Sequence, residues 1–76
     1  MIKYFFDLAT KSYVQYDYRG RDLERPEQAR EMAELIALDI ECINGDDYAG
    51  AEVQVRNIGG QKLFSVPIRE PELIAA

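Results

Sequence analysis

"KYFFDL", Lys3 to Leu8, sets three aromatic residues in a row. In an extended chain, successive side chains go to opposite faces. Ile2, Tyr4, Phe6 and Leu8 then share one face, and Lys3, Phe5 and Asp7 the other. Both faces carry an aromatic ring. The pattern predicts a strand over Ile2 to Leu8, placed centrally in a sheet because it is apolar toward both sides. What the second face serves is the functional question.

Outward from this stretch, "ATKS" (Ala9 to Ser12) is a polar break of hairpin length, and Tyr13 to Tyr18 resumes an alternating pattern. Val14, Tyr16 and Tyr18 oppose Tyr13, Gln15 and Asp17, and such β-branched and aromatic residues suit a pleated, half-buried surface. "RGRD" (Arg19 to Asp22) is expected to end this strand, with Gly20 supplying a positive φ. Pro26 to about Asn44 reads as the only helix. Proline at the first helical position loses nothing, since that N–H has no partner in any case, and Glu27 suits the positive end of the helix dipole. At 100° per residue, Ala29, Met32, Ala33, Ile36, Ile40 and Ile43 form one apolar stripe, the expected core face. Asn44-Gly45 is the expected stop, within a cap and turn spanning "NGDDY" (Asn44 to Tyr48).

Ala51 to Ile58 alternates again, with Val53 and Val55 inward and Glu52, Gln54 and Arg56 outward. Gly59-Gly60 makes a hairpin turn, and Gln61 to Ile68 returns with Phe64, Val66 and Ile68 on one parity. Pro67 has no N–H for a ladder and marks an edge position or the strand's end. The reading is α+β: β-β-α-β-β, a four-stranded, mainly antiparallel sheet with the helix packed on one face. Residues 1–70 form a single domain and 71–76 a short C-terminal tail.

The 76 residues are 47% hydrophobic and 30% charged, the composition of one small folded domain rather than a disordered chain. A domain this short buries a modest share of its surface, and oligomerisation is a common remedy. Lys3 and Asp7 interrupt the apolar opening, so a secretory signal is not expected, and no segment reaches membrane-spanning length. With one cysteine, Cys42, these features point to a reducing cytoplasm.

The chemistry available is narrow. There is no histidine, so histidine triads, bases and metal ligands are absent. Cys42 has Leu38, Asp39 and Glu41 as helical neighbours, which do not activate a thiol, and it reads as a small apolar helix residue. "NGDDY" lacks the ligand number and spacing of a calcium loop, and Gly59-Gly60 lacks phosphate-loop spacing. No catalytic, cofactor-binding or metal-ligating residues are expected, and the protein is not expected to be an enzyme.

Surfaces carry the functional expectation. Leu35, Leu38 and Cys42 lie off the core stripe of the helix, while Phe5 and several of the five tyrosines lie off the core face of the sheet. Contiguous apolar patches mark contact sites, although loops or the tail can cover such a cluster within one chain. The expectation is a cytoplasmic interaction module that pairs with itself, as a homodimer, or with another protein. Phe5, Tyr13, Leu35 and Leu38 are its candidate contacts. The alternative is a nucleic-acid-linked regulator of antitoxin-like type, contacted through Arg19, Arg21 and Arg25. A net charge of −5 and otherwise scattered bases count against it.

The chain resembles a family of small proteins of unknown function, widespread in rhizobia and related alphaproteobacteria, that open with a Tyr-Phe-Phe-Asp or Tyr-Tyr-Phe-Asp strand. The resemblance rests on "YFFDL" at Tyr4 to Leu8, on Asp17, Gly20, Asp22 and Leu23, on "EQARE" opening the helix, and on "VQVRN", "GG" and "LFSV" in the last hairpin. Relatives often have an acidic residue just before the helix, where this chain has Arg25. The resemblance implies no activity, cofactor or partner. A weaker similarity, of architecture alone, is to small antitoxin-like domains that pair with a toxin.

Overall fold

The structure is a computed structural model that describes residues 1–69, with the backbone alone at 44–46. The expected C-terminal tail lies outside the described residues. Five strands and one helix follow in the order β1 (Ile2–Ala9), β2 (Val14–Gln15), β3 (Arg21–Leu23), α1 (Pro26–Tyr48), β4 (Glu52–Asn57) and β5 (Lys62–Pro67). The fold is α+β, with the β-β-α-β-β order elaborated by the division of the second strand into β2 and β3. All pairings are antiparallel: β4 flanks β1 on one side, and β2 and β3 share its other side. The two-faced strand is central, and β5 forms the far edge beyond β4.

The helix lies on the face that bears Tyr4, Val53, Val55 and Ile68, all buried. Its deepest row is Ala29, Ala33 and Ala37, three small side chains four residues apart that let the helix backbone approach the sheet. An i, i+4 row is inclined to the helix axis. The contact line therefore rotates toward Ala37 and Glu41 along the helix. This corrects the expected stripe: Ile36 and Ile40 pack beside the core, but Ile43 is turned out, 77% exposed.

Two further expectations are corrected. The helix does not stop at Asn44-Gly45 but continues to Tyr48, which packs against the core. Packing at its end outweighs the low helix propensity of Asn and Gly, about 1 kcal/mol for a glycine. Termination falls at Ala49 and at Gly50, where φ is +85°. At the other end Arg25 offers no acceptor for capping. Gln28 reaches back instead, its Oε1 accepting the N–H groups of Glu24 (2.8 Å) and Arg25 (3.1 Å).

The second correction concerns Tyr13 to Tyr18, which is not a continuous strand. Only Val14 and Gln15 pair with β1, and "RGRD" does not end the ladder, since Arg21–Leu23 rejoins it. Between the pairs Tyr4↔Arg21 and Leu8↔Gln15, β1 has Phe5, Phe6 and Asp7, whereas the facing edge has the five residues from Tyr16 to Gly20. The surplus cannot stay in register, so the chain loops away. What closes the gap is the side chain of Asp17.

Among the described residues, no helix is long and apolar enough to cross a membrane.

Candidate functional site

The loop from Tyr16 to Gly20 is fastened to β1 by two carboxylates and one guanidinium. Asp17 Oδ2 accepts the N–H of Phe6 (3.2 Å), where a strand would have offered a carbonyl. Its Oδ1 accepts the N–H groups of Arg19 (3.0 Å) and Gly20 (3.2 Å), an Asx turn that shapes the loop. The backbone N–H of Asp17 donates to Asp7 Oδ1 (2.8 Å). Asp7 points away from the helix and is nevertheless only 3% exposed.

Arg56 on β4 completes the clamp. Its Nε donates to Asp7 Oδ2 (2.7 Å) and its Nη2 to the carbonyl of Asp17 (3.0 Å). The guanidinium also lies over the rings of Phe5 (4.6 Å to the centroid) and Tyr16 (5.7 Å). Register explains the meeting, because Arg56 pairs directly with Phe5, which puts both on one face. The second side of the aromatic strand is thus partly covered within the chain, and Phe5 is half-buried.

The electrostatics match this geometry. Burial pushes the Asp17 pKa up, but the N–H donors of Gly20, Phe6 and Arg19 outweigh it, with Arg56 adding to them, and hold the carboxyl below its ordinary value. The Asp7 hydrogen bond raises the Arg56 pKa. With its folded value depressed, Asp17 contributes stability that is present above its unfolded pKa and lost as pH falls through the folded one. The advantage of the wild type over Asp17→Asn is therefore expected to be full at neutral pH and to shrink below about pH 4. Urea denaturation of both proteins across that range checks it; a gap that widens on acidification would contradict the assignment.

What the clamp presents is aromatic. The hairpin before it is closed by Thr10, whose Oγ1 accepts the N–H groups of Ser12 (3.2 Å) and Tyr13 (3.1 Å). Tyr13 projects there beside Tyr48, whose charge raises its pKa. Tyr13, Val14, Tyr16 and Tyr18 are all exposed, Tyr18 by 86%. Tyr16 and Tyr18 border a shallow hollow that reaches Phe6 and Leu8 on the helix side of the sheet.

The four candidate contacts fall in two places. Phe5 and Tyr13 belong to the clamp and its hairpin, whereas Leu35 and Leu38 lie on the outer face of α1. The three arginines of the alternative reading form no common cluster of partners. Arg19 is beside Tyr18, Arg21 turns its Nη1 to the Met32 sulfur (3.6 Å), and Arg25 occupies the helix N-cap, with Asp22 and Glu24 exposed between them.

Sequence reasoning met Asp7, Asp17 and Arg56 only in strand patterns and in the family resemblance, and gave no site role to them or to Tyr16 and Tyr18. The available signal was a lone carboxylate inside an aromatic strand, which needs a buried cation or N–H donors to be tolerated. Chemically, the clamp's carboxylate oxygens are committed to N–H donors. Among the described residues, no group of three or more Cys, Asp or Glu side chains is placed to hold a metal ion. Cys42 is exposed on the helix.

No curated protein and no solved structure matches the chain. The model of a family described as a domain of unknown function, DUF6894, matches residues 3–69, and the chain belongs to that family.

Proposed function

We propose that this DUF6894 member is a non-enzymatic interaction module that works as a homodimer, with the edge from Tyr13 to Tyr18 as its self-contact. The observation that carries the reading is the clamp. Asp7, Asp17 and Arg56 hold an otherwise irregular loop fixed while it turns tyrosines outward. Rigid aromatic side chains lose little entropy on contact and are enriched at interfaces. From Thr10 to Gly20 the charges are Lys11, Arg19 and Asp17, a net of +1, so the like-charge penalty between two copies is small. Phe5 supports this surface from beneath and Tyr13 belongs to it. Cytoplasmic residence fits the lone cysteine, and an alphaproteobacterial source fits the Tyr-Phe-Phe-Asp opening.

Absolute mass by light scattering over a concentration series tests the reading. The wild type is expected to approach twice the monomer mass, and Tyr16→Ser/Tyr18→Ser to stay monomeric at the same concentrations. A wild type that remains monomeric at high concentration would overturn it, as would a double variant that dimerises equally well.

A further inference from the structure

The negative charge of this protein is not spread over it. Seven of the fourteen acidic residues but only one of the nine basic ones lie between Pro26 and Tyr48, so the helix carries −6 and the rest of the chain +1. Within this acidic helix Leu35 and Leu38 are 57% and 54% exposed, and Cys42 follows them on the outer side. Glu31, Glu34 and Asp39 surround the leucines. The single base, Arg30, is engaged from its own chain by Glu34 (3.8 Å) and by the Phe64 ring (5.8 Å). No basic side chain lies in the last turn to complement the helix dipole.

Beside Leu38 a groove of about 390 Å³ runs between α1 and β5, floored by Ala37, Val66 and Pro67 and bordered by Glu34 and Glu41 and by Arg30 and Arg69, so that its rim is of mixed charge and the acidic surface is the outer helix face itself. It has room for apolar side chains from outside. The edge of β5 does not invite an added strand. The N–H of Ile68 donates to Ala51, so by alternation the backbone groups of Pro67 face the free side, where proline has no N–H. A helix laid along the outer face of α1 is the docking mode that this margin fits.

We infer that the outer face of α1, around Leu35 and Leu38 and beside the α1–β5 groove, is a docking site for a basic amphipathic helix of another protein. The occupant's apolar row meets Leu35 and Leu38, and its lysines and arginines meet Glu31, Glu34 and Asp39, the carboxylates around them. Charge selects this occupant. A second copy of the same face, an anionic lipid surface and a nucleic acid would each bring negative charge against negative.

The test uses the full chain and a fluorescent peptide of about 14 residues, built from leucine and lysine with leucines at i, i+3, i+4 and i+7. Anisotropy titration is expected to show saturable one-to-one binding that weakens roughly tenfold or more between about 50 and 300 mM salt. Leu35→Ser/Leu38→Ser is expected to reduce affinity about tenfold. Glu31→Gln/Glu34→Gln should weaken binding several-fold and flatten the salt dependence, while Asp22→Asn/Glu24→Gln, away from the face, should leave both unchanged. Tyr16→Ser/Tyr18→Ser should still bind the peptide, which separates this site from the self-contact. Circular dichroism confirms that the surface variants fold. Absent saturable binding, equal loss in the Asp22/Glu24 control, or equal binding of a leucine–glutamate peptide would overturn the inference.

Discussion

Asp7→Ala is expected to cost about 3–5 kcal/mol and to lower the melting temperature by at least about 12 °C. For a chain of this length that is a large part of the whole folding free energy, which runs at roughly 0.05–0.15 kcal/mol per residue. The reason lies in what the substitution strands. Arg56 keeps its place over Phe5 but loses the carboxylate 2.7 Å from its Nε, and the N–H of Asp17 loses its acceptor. The Asp7 side chain is 4% exposed and that of Arg56 24%, so water cannot replace the partner at every position. Removing both charges is a milder change than removing one. Asp7→Leu/Arg56→Leu is expected to melt above Asp7→Ala, because a buried ion pair is more costly to break than to replace by apolar groups. Thermal melts of the three proteins decide it. An Asp7→Ala variant within a few degrees of wild type would show that the clamp contributes little.

Gly20→Ala is the second large effect, with an expected cost of about 2–4 kcal/mol. Gly20 has φ of +71°, and an added Cβ would come within 3.0 Å of the Phe5 ring and of the Tyr4 carbonyl oxygen. The nearest atom is Lys3 Cγ at 2.9 Å, close enough to the backbone that it moves only with a change of χ1 rotamer. The Tyr4 carbonyl belongs to the backbone of the central strand and cannot move without disturbing the sheet. Gly60→Ala is the matched comparison: φ is +87° there, but nothing lies within 4 Å. It should lose only the backbone preference, about 1 kcal/mol. The difference between the two variants in chemical denaturation isolates the close approach of loop to strand. Equal losses would mean that φ alone governs both sites.

Much of the architecture was legible because it follows from alternation. The two-sided apolar pattern of Ile2 to Leu8 put β1 at the centre, and Val53, Val55, Phe64 and Val66 identified the inward faces of β4 and β5. Leu35 and Leu38 could be assigned to the outer helix from the helical period alone. The division of Tyr13 to Tyr18 was not legible. It depends on Asp17 standing in for a strand carbonyl at Phe6 and on Arg56, 49 residues beyond Asp7, closing the same network. Local patterns do not carry such distant pairings. The helix end was missed for a related reason: Asn44-Gly45 is a stop by local preference, while Tyr48 reaches the core through tertiary contact.

The central place of β1 also bears on how the protein is made. Tyr4 pairs with Asn57, so the strand synthesised first waits for a partner about 50 residues later. At roughly 5–20 residues per second, that wait on the ribosome is about 3–10 s, longer than hairpin formation by orders of magnitude. During it the aromatic run has only its short hairpin and no second sheet neighbour. Lys3 and Asp7, the charges that interrupt the run, stand where gatekeeper residues are placed against association. Asp7, an anchor of the finished clamp, is thus also one of the two charges that break the aromatic run before its second neighbour is made.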